Sequence, residues 1–353
     1  MLVQTLILEG NDPTHWGHQH GEVFKEEIRE LYKIRLELTL AKTRMGNEAK
    51  VLEVAKAHLP VLRAFDEPLA NEMRGIAEAS GLTEAQILLV NHYTDLRDID
   101  RIPPQPTEDP GGCSAFFVPS STGPVLGQTW DMHASATEHV IMLQVPSTHP
   151  DDHSPEATYC FTLTGCVGMT GLTSWGLGMT INNLNSNDAR VGVCWPALVR
   201  RCLRERTAGS AKDVIMQADI GSGHHYIVAD EKDVFGVETS GQKKKIIQEG
   251  ITNIHLHTNH ALDAEMAETC WVYAGSSTYK RYENMETLGV SGFGQSASDI
   301  ANGLHRFRIP RPPSNTPHDV ATCGSFVMDL KNRIAYAGVG VPNETPLLRI
   351  RLQ

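Results

Sequence analysis

Residues 102–118 read IPPQPTEDPGGCSAFFV, and this stretch divides the chain into two parts of different character. Its first eleven residues contain four prolines and two glycines, so they cannot continue a helix or a central strand and are predicted to form a loop. The run SAFFV that follows Cys113 is typical of a strand. The stretch therefore places Cys113 between a Gly-Gly step and the start of a strand.

The part before the loop is predicted to be mainly helical. Residues 1–9 have the pattern of a strand, and Asp12 with Pro13 then supplies an N-cap and a favoured first helical residue, so we expect a long helix from this point. Gly17 and Gly21 lie one turn apart on that helix, which would let another backbone approach closely. Further helices are predicted over residues 66–79, closed by Gly81, and from a capping box at Thr83 and Gln86 towards Asp98.

The part after the loop has the pattern of short strands interrupted by helices. A helical first third followed by a strand-rich remainder with late helices indicates an α+β layered fold. The strand-like runs occupy residues 114–119, 125–130, 139–145, 158–163, 177–184, 226–229 and 326–330, and helices are predicted near residues 196–206, 211–218, 277–288 and 296–305.

Composition and charge exclude several classes of protein. The formal net charge is −11 and the isoelectric point is about 5.8, whereas binding to nucleic-acid phosphates needs a basic face. The sequence has no apolar stretch long enough to span a bilayer and no signal-peptide pattern, so we expect a cytoplasmic protein that binds neither nucleic acid nor membrane. Its seven cysteines are scattered and odd in number, which predicts reduced thiols rather than a disulfide framework.

Cys113 is the first candidate for chemistry. The Gly111-Gly112 step before it removes side-chain bulk around a carbonyl and permits unusual backbone angles, so the thiol could reach the preceding peptide bond. A cysteine that only begins a strand beside a flexible loop would have the same local sequence, and this step alone favours that structural interpretation. Other polar residues are needed to distinguish the two.

Polar residues at the ends of three later strand-like runs could complete a site. Asp131 follows Trp130 at the end of one run and could orient a nucleophile or an amine, although an aspartate at such a place more often forms a turn. The run GLGMTINN ends in Asn182 and Asn183, and the run HLHTN ends in Asn259. A side-chain amide there can donate a hydrogen bond to a developing oxyanion or can form an Asx turn.

Histidines allow two other kinds of site. Zinc needs three or four converging ligands, and His255 and His257 share one strand face, but no HExxH or CxxC pattern completes the set, so we predict no metal. His260 follows Cys113 by 147 residues, a separation found in papain-like cysteine proteases. The cysteine of that fold begins a helix within a CGxCW-like signature, however, whereas Cys113 precedes a strand.

The order and spacing of these residues resemble the acyl-coenzyme A:6-aminopenicillanic acid acyltransferase family, also called isopenicillin N acyltransferases and peptidase family C45. The resemblance extends over most of the chain, and it implies the four-layered αββα sandwich of the N-terminal nucleophile hydrolases. The matching segments are Gly17 to Glu22, Glu72 to Glu78, Gly112-Cys113, Trp130-Asp131, Gly176 to Leu184, Thr258 to His260 and Val320 to Leu330.

The resemblance also implies self-cleavage between Gly112 and Cys113. Residues 1–112 would remain as a small helical subunit bound to a catalytic subunit of residues 113–353. The roles implied for this sequence are Cys113 as nucleophile, Asp131 as the carboxylate that orients it, Asn259 as an oxyanion or substrate-positioning amide, and Asn182 or Asn183 as the second amide.

One region departs from the family pattern. Family members commonly carry an arginine shortly before the Val-Ala-Thr run, whereas this sequence has Thr-Pro-His-Asp directly before Val320. His318, or one of three arginines further upstream, could take the place of that arginine, so the identity of the substrate stays open. The candidates are His318, Arg306, Arg308 and Arg311, and Trp130 and His260 are further possible substrate contacts.

The expected reaction needs no cofactor. After cleavage, the α-amine of Cys113 has an ordinary pKa of about 7.7 to 8.0 and suits a general base. The thiolate would attack the carbonyl of a small-molecule amide or thioester, and water or an amine would then take the acyl group. We expect hydrolysis of a small N-acyl amide. The alternatives are a papain-like hydrolase using Cys113 and His260, a zinc-dependent hydrolase and a non-catalytic binding protein on the same fold.

Overall fold

The computed structural model describes residues 2–102, 112–147, 156–292, 296–306 and 319–352. The helices in these ranges are α1 (Pro13–Val23), α2 (Lys25–Lys42), α3 (Glu48–Phe65), α4 (Glu67–Ser80), α5 (Glu84–Ile99), α6 (Trp195–Cys202), α7 (Ala208–Gln217), α8 (Ala264–Ala267), α9 (Thr278–Gly292) and α10 (Ala297–Gly303). The strands are β1 (Gln4–Ile7), β2 (Ser114–Val118), β3 (Val125–His133), β4 (Val140–Pro146), β5 (Ala157–Leu163), β6 (Thr170–Thr173), β7 (Gly178–Asn183), β8 (Asn185–Ser186), β9 (His224–Ala229), β10 (Val234–Thr239), β11 (Lys244–Glu249), β12 (His255–His257), β13 (Cys270–Trp271), β14 (Val320–Asp329), β15 (Ile334–Val339) and β16 (Leu348–Arg351).

Within the described ranges the strands form two large sheets. The eight-stranded sheet has the order β1-β4-β5-β6-β7-β9-β10-β11, in which β1 runs parallel to β4 and the other neighbours are antiparallel. The six-stranded sheet has the antiparallel order β12-β2-β3-β14-β15-β16. The N-terminal strand β1 therefore belongs to a sheet whose other strands all come from the second part of the chain.

The two large sheets pack face to face through a stack of aromatic rings. The ring centroids of Trp130 on β3 and Phe161 on β5 lie 4.7 Å apart, and those of Phe161 and Phe326 on β14 lie 5.3 Å apart. All three side chains are buried, and large aromatic residues dominate the energetics of such cores. The stack fixes β3 in the layer between the sheets, and Asp131 follows the stacked Trp130 directly.

Helices cover both outer faces of this sandwich. Ile28 of α2 and Val90 of α5 pack around Gly165, in the loop after β5 of the eight-stranded sheet. On the other side, Ile300 of α10 belongs to a buried cluster with Phe116 and with other apolar residues of the six-stranded sheet. The layers run helix, sheet, sheet, helix, as the predicted αββα sandwich requires.

The predicted close approach of two backbones at α1 is confirmed. A Cβ atom added to Gly17 would lie 2.0 Å from the backbone oxygen of Glu72 on α4, and one added to Gly21 would lie 2.7 Å from the Cβ of Ala79. Gly75 faces the same contact from α4, where an added Cβ would lie 2.2 Å from the backbone oxygen of Thr14. Any side chain at these positions must push the helices apart.

We expect Gly17→Ala to destabilise the protein by about 1–3 kcal/mol, because the methyl group would overlap the backbone of α4. Gly209→Ala in α7 is the matched control, since the nearest atom to its added Cβ is Thr207 Oγ1 at 3.9 Å. The control should be neutral or stabilising by about 0.4–1 kcal/mol. Urea unfolding of both variants measures this, and a wild-type midpoint for Gly17→Ala would contradict the packing described for α1 and α4.

The structure departs from the sequence prediction at several boundaries. The long helix expected after Asp12 is wrong in its extent: α1 ends at Val23, because Phe24 leaves helical angles (φ −115°, ψ 32°) before α2 begins. Strand β3 continues to His133 and β14 begins at Val320, and the two pair across these extensions with a bulge between Thr322 and Gly324. Residues 103–111 of the predicted loop lie outside the described residues.

Candidate active site

Cys113 lies at a cavity between the sandwich and the N-terminal helices. The cavity encloses about 140 Å³, and its walls come from β3 and β7 on one side and from α2 and α5 on the other. Both parts of the chain, before and after Cys113, therefore contribute to one site. The lining residues that matter below are Cys113, Asp131, Asn183, Asn259, Arg35 and Tyr93.

Three contacts hold the peptide bond between Gly112 and Cys113. The backbone N–H of Asp131 donates to the Gly112 carbonyl oxygen over 3.2 Å, and Nη1 of Arg281 donates to the Cys113 carbonyl oxygen over 2.6 Å. A Cβ atom at position 112 would lie 2.0 Å from Oδ1 of Asn259, so only glycine fits there. The requirement for Gly112 thus comes from the space beside Asn259.

The environment of the Cys113 thiol opposes ionisation. Burial raises the pKa of this thiol to about 12, and the negative charge of Asp131 adds to the rise, while the Arg281 guanidinium opposes it. Cys113 nevertheless keeps partial exposure and lines the cavity. A nucleophilic role for this sulfur therefore requires a base that accepts its proton.

Asp131 lies beside Cys113 on strand β3. Its Oδ1 accepts a hydrogen bond from the hydroxyl of Thr322 on β14 over 2.6 Å, which fixes the carboxylate between the paired strands. The residue is buried, and it lines the cavity together with Cys113. The carboxylate is thus positioned to interact with a charge that forms on Cys113.

Asn259 is held on both sides of its amide. Its Nδ2 donates to the backbone oxygen of Asn183 over 2.8 Å, and its Oδ1 accepts from Nη2 of Arg281 over 2.9 Å. The second hydrogen of Nδ2 remains available for a substrate oxygen. Of the two adjacent amides on β7, Asn183 lines the cavity, whereas Asn182 points to the other face, where its Oδ1 lies 3.3 Å from Nδ1 of His225.

Sequence reasoning missed Arg281, which connects these groups. This arginine of α9 is buried and contacts the Cys113 carbonyl, the Ser114 hydroxyl and Asn259. Its surroundings in the sequence, YKRYEN, read as an ordinary charged helix surface, so no local signal distinguishes it. The cavity residues of α2 and α5 were missed for the same reason, since their faces are set by tertiary packing.

The remaining predicted contacts are only partly brought together. Trp130 lines the cavity with its neighbour Asp131. His260 instead packs against Tyr279, and its Nδ1 lies 3.1 Å from the hydroxyls of Thr258 and Thr278. The residues proposed to replace the family arginine fall on His318, Arg308 and Arg311, which lie outside the described residues, and on Arg306, whose side chain is not described.

The histidine clusters have other partners. His257 pairs with the buried Glu238 over 2.9 Å, and its ring stacks on His225 with centroids 3.6 Å apart. Nε2 of His20 accepts a hydrogen bond from the Gly165 N–H. Within the described ranges, no group of three or more His, Cys, Asp or Glu side chains has a geometry that could hold a metal ion. The helices described there include none that is long and apolar enough to cross a membrane.

Comparison with known proteins identifies the family. Residues 118–344 match the model of the family described as acyl-coenzyme A:6-aminopenicillanic acid acyl-transferase. The chain belongs to this family. A curated relative, the 40 kDa form of acyl-coenzyme A:6-aminopenicillanic-acid acyltransferase from Emericella nidulans, is 22% identical over 339 residues, which cover 94% of this chain and 91% of the relative. The predicted resemblance is therefore confirmed.

Solved structures of low sequence identity share the fold. A variant of the conjugated bile acid hydrolase from Clostridium perfringens aligns with a TM-score of 0.50 and 13% identity, covering 68% of this chain and 92% of that chain. The penicillin V acylase from Agrobacterium tumefaciens aligns with a TM-score of 0.43 and 11% identity, covering 68% and 86%. The αββα sandwich of the N-terminal nucleophile hydrolase type is confirmed. The acyltransferase family of this chain makes it an enzyme, a hydrolase or acyltransferase acting on linear amide (C–N) bonds.

Proposed function

We propose that this enzyme cleaves itself between Gly112 and Cys113 and then uses Cys113 as the nucleophile towards the amide of a small N-acyl compound. The observation that carries the proposal is the position of this one peptide bond, which lies at the cavity with its Gly112 carbonyl bonded to the Asp131 N–H. The same N–H that holds the scissile carbonyl can stabilise the negative oxygen that forms on it during attack.

Self-cleavage would transfer an acyl group from nitrogen to sulfur. The Cys113 sulfur attacks the Gly112 carbonyl carbon, the bond from that carbon to the Cys113 nitrogen breaks, and the thiol proton ends on the departing nitrogen. Water then hydrolyses the thioester, which frees the thiol and leaves a carboxylate on Gly112. The products are a small subunit of residues 1–112 and a catalytic subunit of residues 113–353, with Cys113 at its new N-terminus.

Contacts across this boundary support continued association of the two fragments. Strand β1 pairs with β4, so separation would expose an edge of the eight-stranded sheet. The faces of α2 and α5 that line the cavity are also part of the main buried core. The small subunit would remain as one wall of the substrate site.

Turnover would use the α-amine that cleavage creates. This amine accepts the thiol proton, the sulfur attacks the substrate carbonyl, and the side chain of Asn259 stabilises the oxyanion. The amine of the substrate leaves with a proton, and an acyl-enzyme remains on Cys113. Water completes hydrolysis, and an amine acceptor would complete acyl transfer instead. Asp131 would hold the α-amine in position, and Asn183 would supply the backbone oxygen that orients Asn259.

The alternatives predicted from sequence receive less support. Cys113 precedes strand β2 in a two-sheet sandwich, whereas a papain-like cysteine begins a helix. His260 is hydrogen-bonded to Thr258 and Thr278, and the described cavity lining does not include it. A zinc-dependent mechanism would need ligands that the two histidine clusters spend on other partners. A non-catalytic protein would not need the scissile bond at a cavity.

The pH dependence of turnover separates these bases. Because the Cys113 thiol has a pKa of about 12 in the intact chain, it is protonated at neutral pH. With the α-amine as base, kcat/KM should rise to a plateau with a midpoint at about 7.7–8.0. Burial lowers the pKa of His260 to about 4, so a rate already level at pH 5 to 6 would favour His260 instead. The measurement is the hydrolysis of pentanoyl p-nitroanilide by the cleaved enzyme.

We expect Asn259→Ala to lower kcat by about 10²- to 10³-fold, with a smaller change in KM, because an oxyanion donor acts mainly in the transition state. Steady-state kinetics on the same anilide measures both constants. Asn302→Ala, which removes a surface amide bonded to the Ser298 carbonyl, is the control and should match wild type. A change confined to KM would show that Asn259 only positions the substrate.

A further inference from the structure

The helical wall of the cavity carries positive charge. Arg35, Leu38 and Lys42 of α2 all line the cavity, and their spacing of three and four residues places them on one face of the helix. Arg35 is buried, with 4% of its surface exposed, whereas Lys42 is half-buried at the end of α2. The protein as a whole has a net charge of −11, so this wall differs from the rest of the molecule.

The guanidinium of Arg35 is held at one edge only. Its Nη1 donates to the backbone oxygen of Val90, and the same carbonyl accepts from Sγ of Cys166. Helix α5 leaves helical angles at His92, two residues further on. The Arg35 guanidinium also lies 5.7 Å from the ring centroid of Tyr93, another cavity residue. These contacts orient the side chain along the cavity wall.

Arg35 lacks a counter-ion among the residues that the structure describes. No described carboxylate forms an ion pair with it, and its Nε is buried without a hydrogen-bond partner. The other buried arginines that pack on the helical layer are neutralised, Arg97 by Asp98 and Arg200 by Glu72, each over 2.9 Å. An arginine cannot lose its proton in a protein, so a buried guanidinium without an anion carries an uncompensated charge.

We propose that Arg35 binds a carboxylate of the substrate, with Lys42 adding positive charge nearby, so that the enzyme acts on N-acyl compounds that carry this group. The inference rests on the proposed function, since it assigns a substrate class to the same cavity. A guanidinium with a free edge suits a carboxylate because two parallel N–H donors match its two oxygens. Asp131 stands with Cys113, so the cavity offers opposite charges at its two walls.

A purely structural Arg35 makes a different prediction. If the guanidinium only holds the Val90 carbonyl, replacing it would lower stability and would slow charged and neutral substrates equally. A carboxylate-binding Arg35 would instead change the preference between two substrates that differ only in charge. The ratio of kcat/KM for such a pair therefore separates the two roles, and it does not depend on the absolute activity of the variant.

The test uses two matched pairs of substrates, because the carboxylate could lie on either side of the amide. Glutaryl and pentanoyl p-nitroanilide differ on the acyl side, and N-phenylacetylglycine and its glycinamide differ on the amine side. The proteins are wild type, Arg35→Met, Arg35→Lys, Lys42→Met and the control Lys33→Met, which removes an exposed cation from the same helix. Melting temperatures establish that each variant is folded, and Arg35→Lys serves if Arg35→Met is not.

We expect wild type to prefer the carboxylate in one pair by about 10- to 100-fold in kcat/KM. Arg35→Met should lose most of this preference, Arg35→Lys and Lys42→Met should lose part of it, and Lys33→Met should keep it. Hydrolysis without a preference for the carboxylate, or a preference that survives in Arg35→Met, would overturn the inference and leave the proposed function standing. If nothing is hydrolysed, the proposed function fails, and calorimetric binding of glutarate against glutaramide to the same proteins decides the inference.

Discussion

The Cys113→Ala variant is expected to remain a single chain and to lose amide turnover by a factor on the order of 10⁶. Without the sulfur, no nucleophile attacks the Gly112 carbonyl, so the α-amine is never formed. The variant should still fold, because its site contacts use the Gly112 and Cys113 backbone carbonyls. Gel electrophoresis and intact mass, followed by the anilide assay, measure both effects.

Cys323→Ala is the matched control for this variant. Cys323 lies near Cys113 on the neighbouring part of the same sheet, is buried, and donates a weak hydrogen bond to the His133 carbonyl over 3.5 Å. Its replacement should permit cleavage and activity. Cleavage of Cys113→Ala at the same bond would assign the reaction to another group and would contradict the role given to the thiol.

The second large effect is expected for Asp131→Asn, which should lower kcat/KM by about 10²- to 10⁴-fold while the protein stays folded. The amide keeps the shape of the side chain, the hydrogen bond from Thr322, and the backbone N–H that holds the Gly112 carbonyl. Only the negative charge beside the Cys113 amine is removed. Kinetics on chains of verified cleavage state measure the loss.

Asp329→Asn provides a control of similar burial. Asp329 ends β14 in the same sheet, is 8% exposed against 7% for Asp131, and accepts hydrogen bonds from Asn332 in a turn. Its replacement can affect stability but should leave kcat/KM of the folded enzyme near wild type. Equal losses in the two variants would show that the effect of Asp131 is structural.

The layered fold was predictable because local patterns agree with the final structure. Asp12, Asp66 and Thr83 cap helices where the sequence places them, and Gly81 ends α4 in the left-handed conformation (φ 72°). Runs of alternating or apolar residues gave the central strands such as β2, β5 and β7. These signals act over a few residues, so they can be read without knowing the tertiary contacts.

Edge and outer strands were harder to predict. Strands β11 and β16, at the ends of the two sheets, contain charged residues and are only partly buried, so they lack the pattern of a core strand. The extension of β3 to His133 depends on pairing with β14, and a one-residue bulge there shifts the register after Thr322. Pairing between segments about 190 residues apart cannot be read from either segment alone.

The candidate site divides in the same way. Cys113, Asp131 and Asn259 stand at strand ends with recognisable flanking sequences, and all three meet at the cavity. The choice between Asn182 and Asn183 depends on which face of β7 turns inward, a property of the folded sheet. Arg281 and Arg35 are single charged residues on amphipathic helices, and only the packing of those helices brings them to the cavity.

Intact mass and N-terminal sequencing of the wild-type protein, purified without added protease, test the central claim most directly. We expect two fragments, residues 1–112 and 113–353, that copurify and whose masses add up to that of the full chain of 353 residues plus one water. The larger fragment should begin at Cys113 and carry the amidase activity. A single uncleaved chain beginning at Met1 that hydrolyses the anilide would contradict the account, because the amine of Cys113 would then never be free to act as a base.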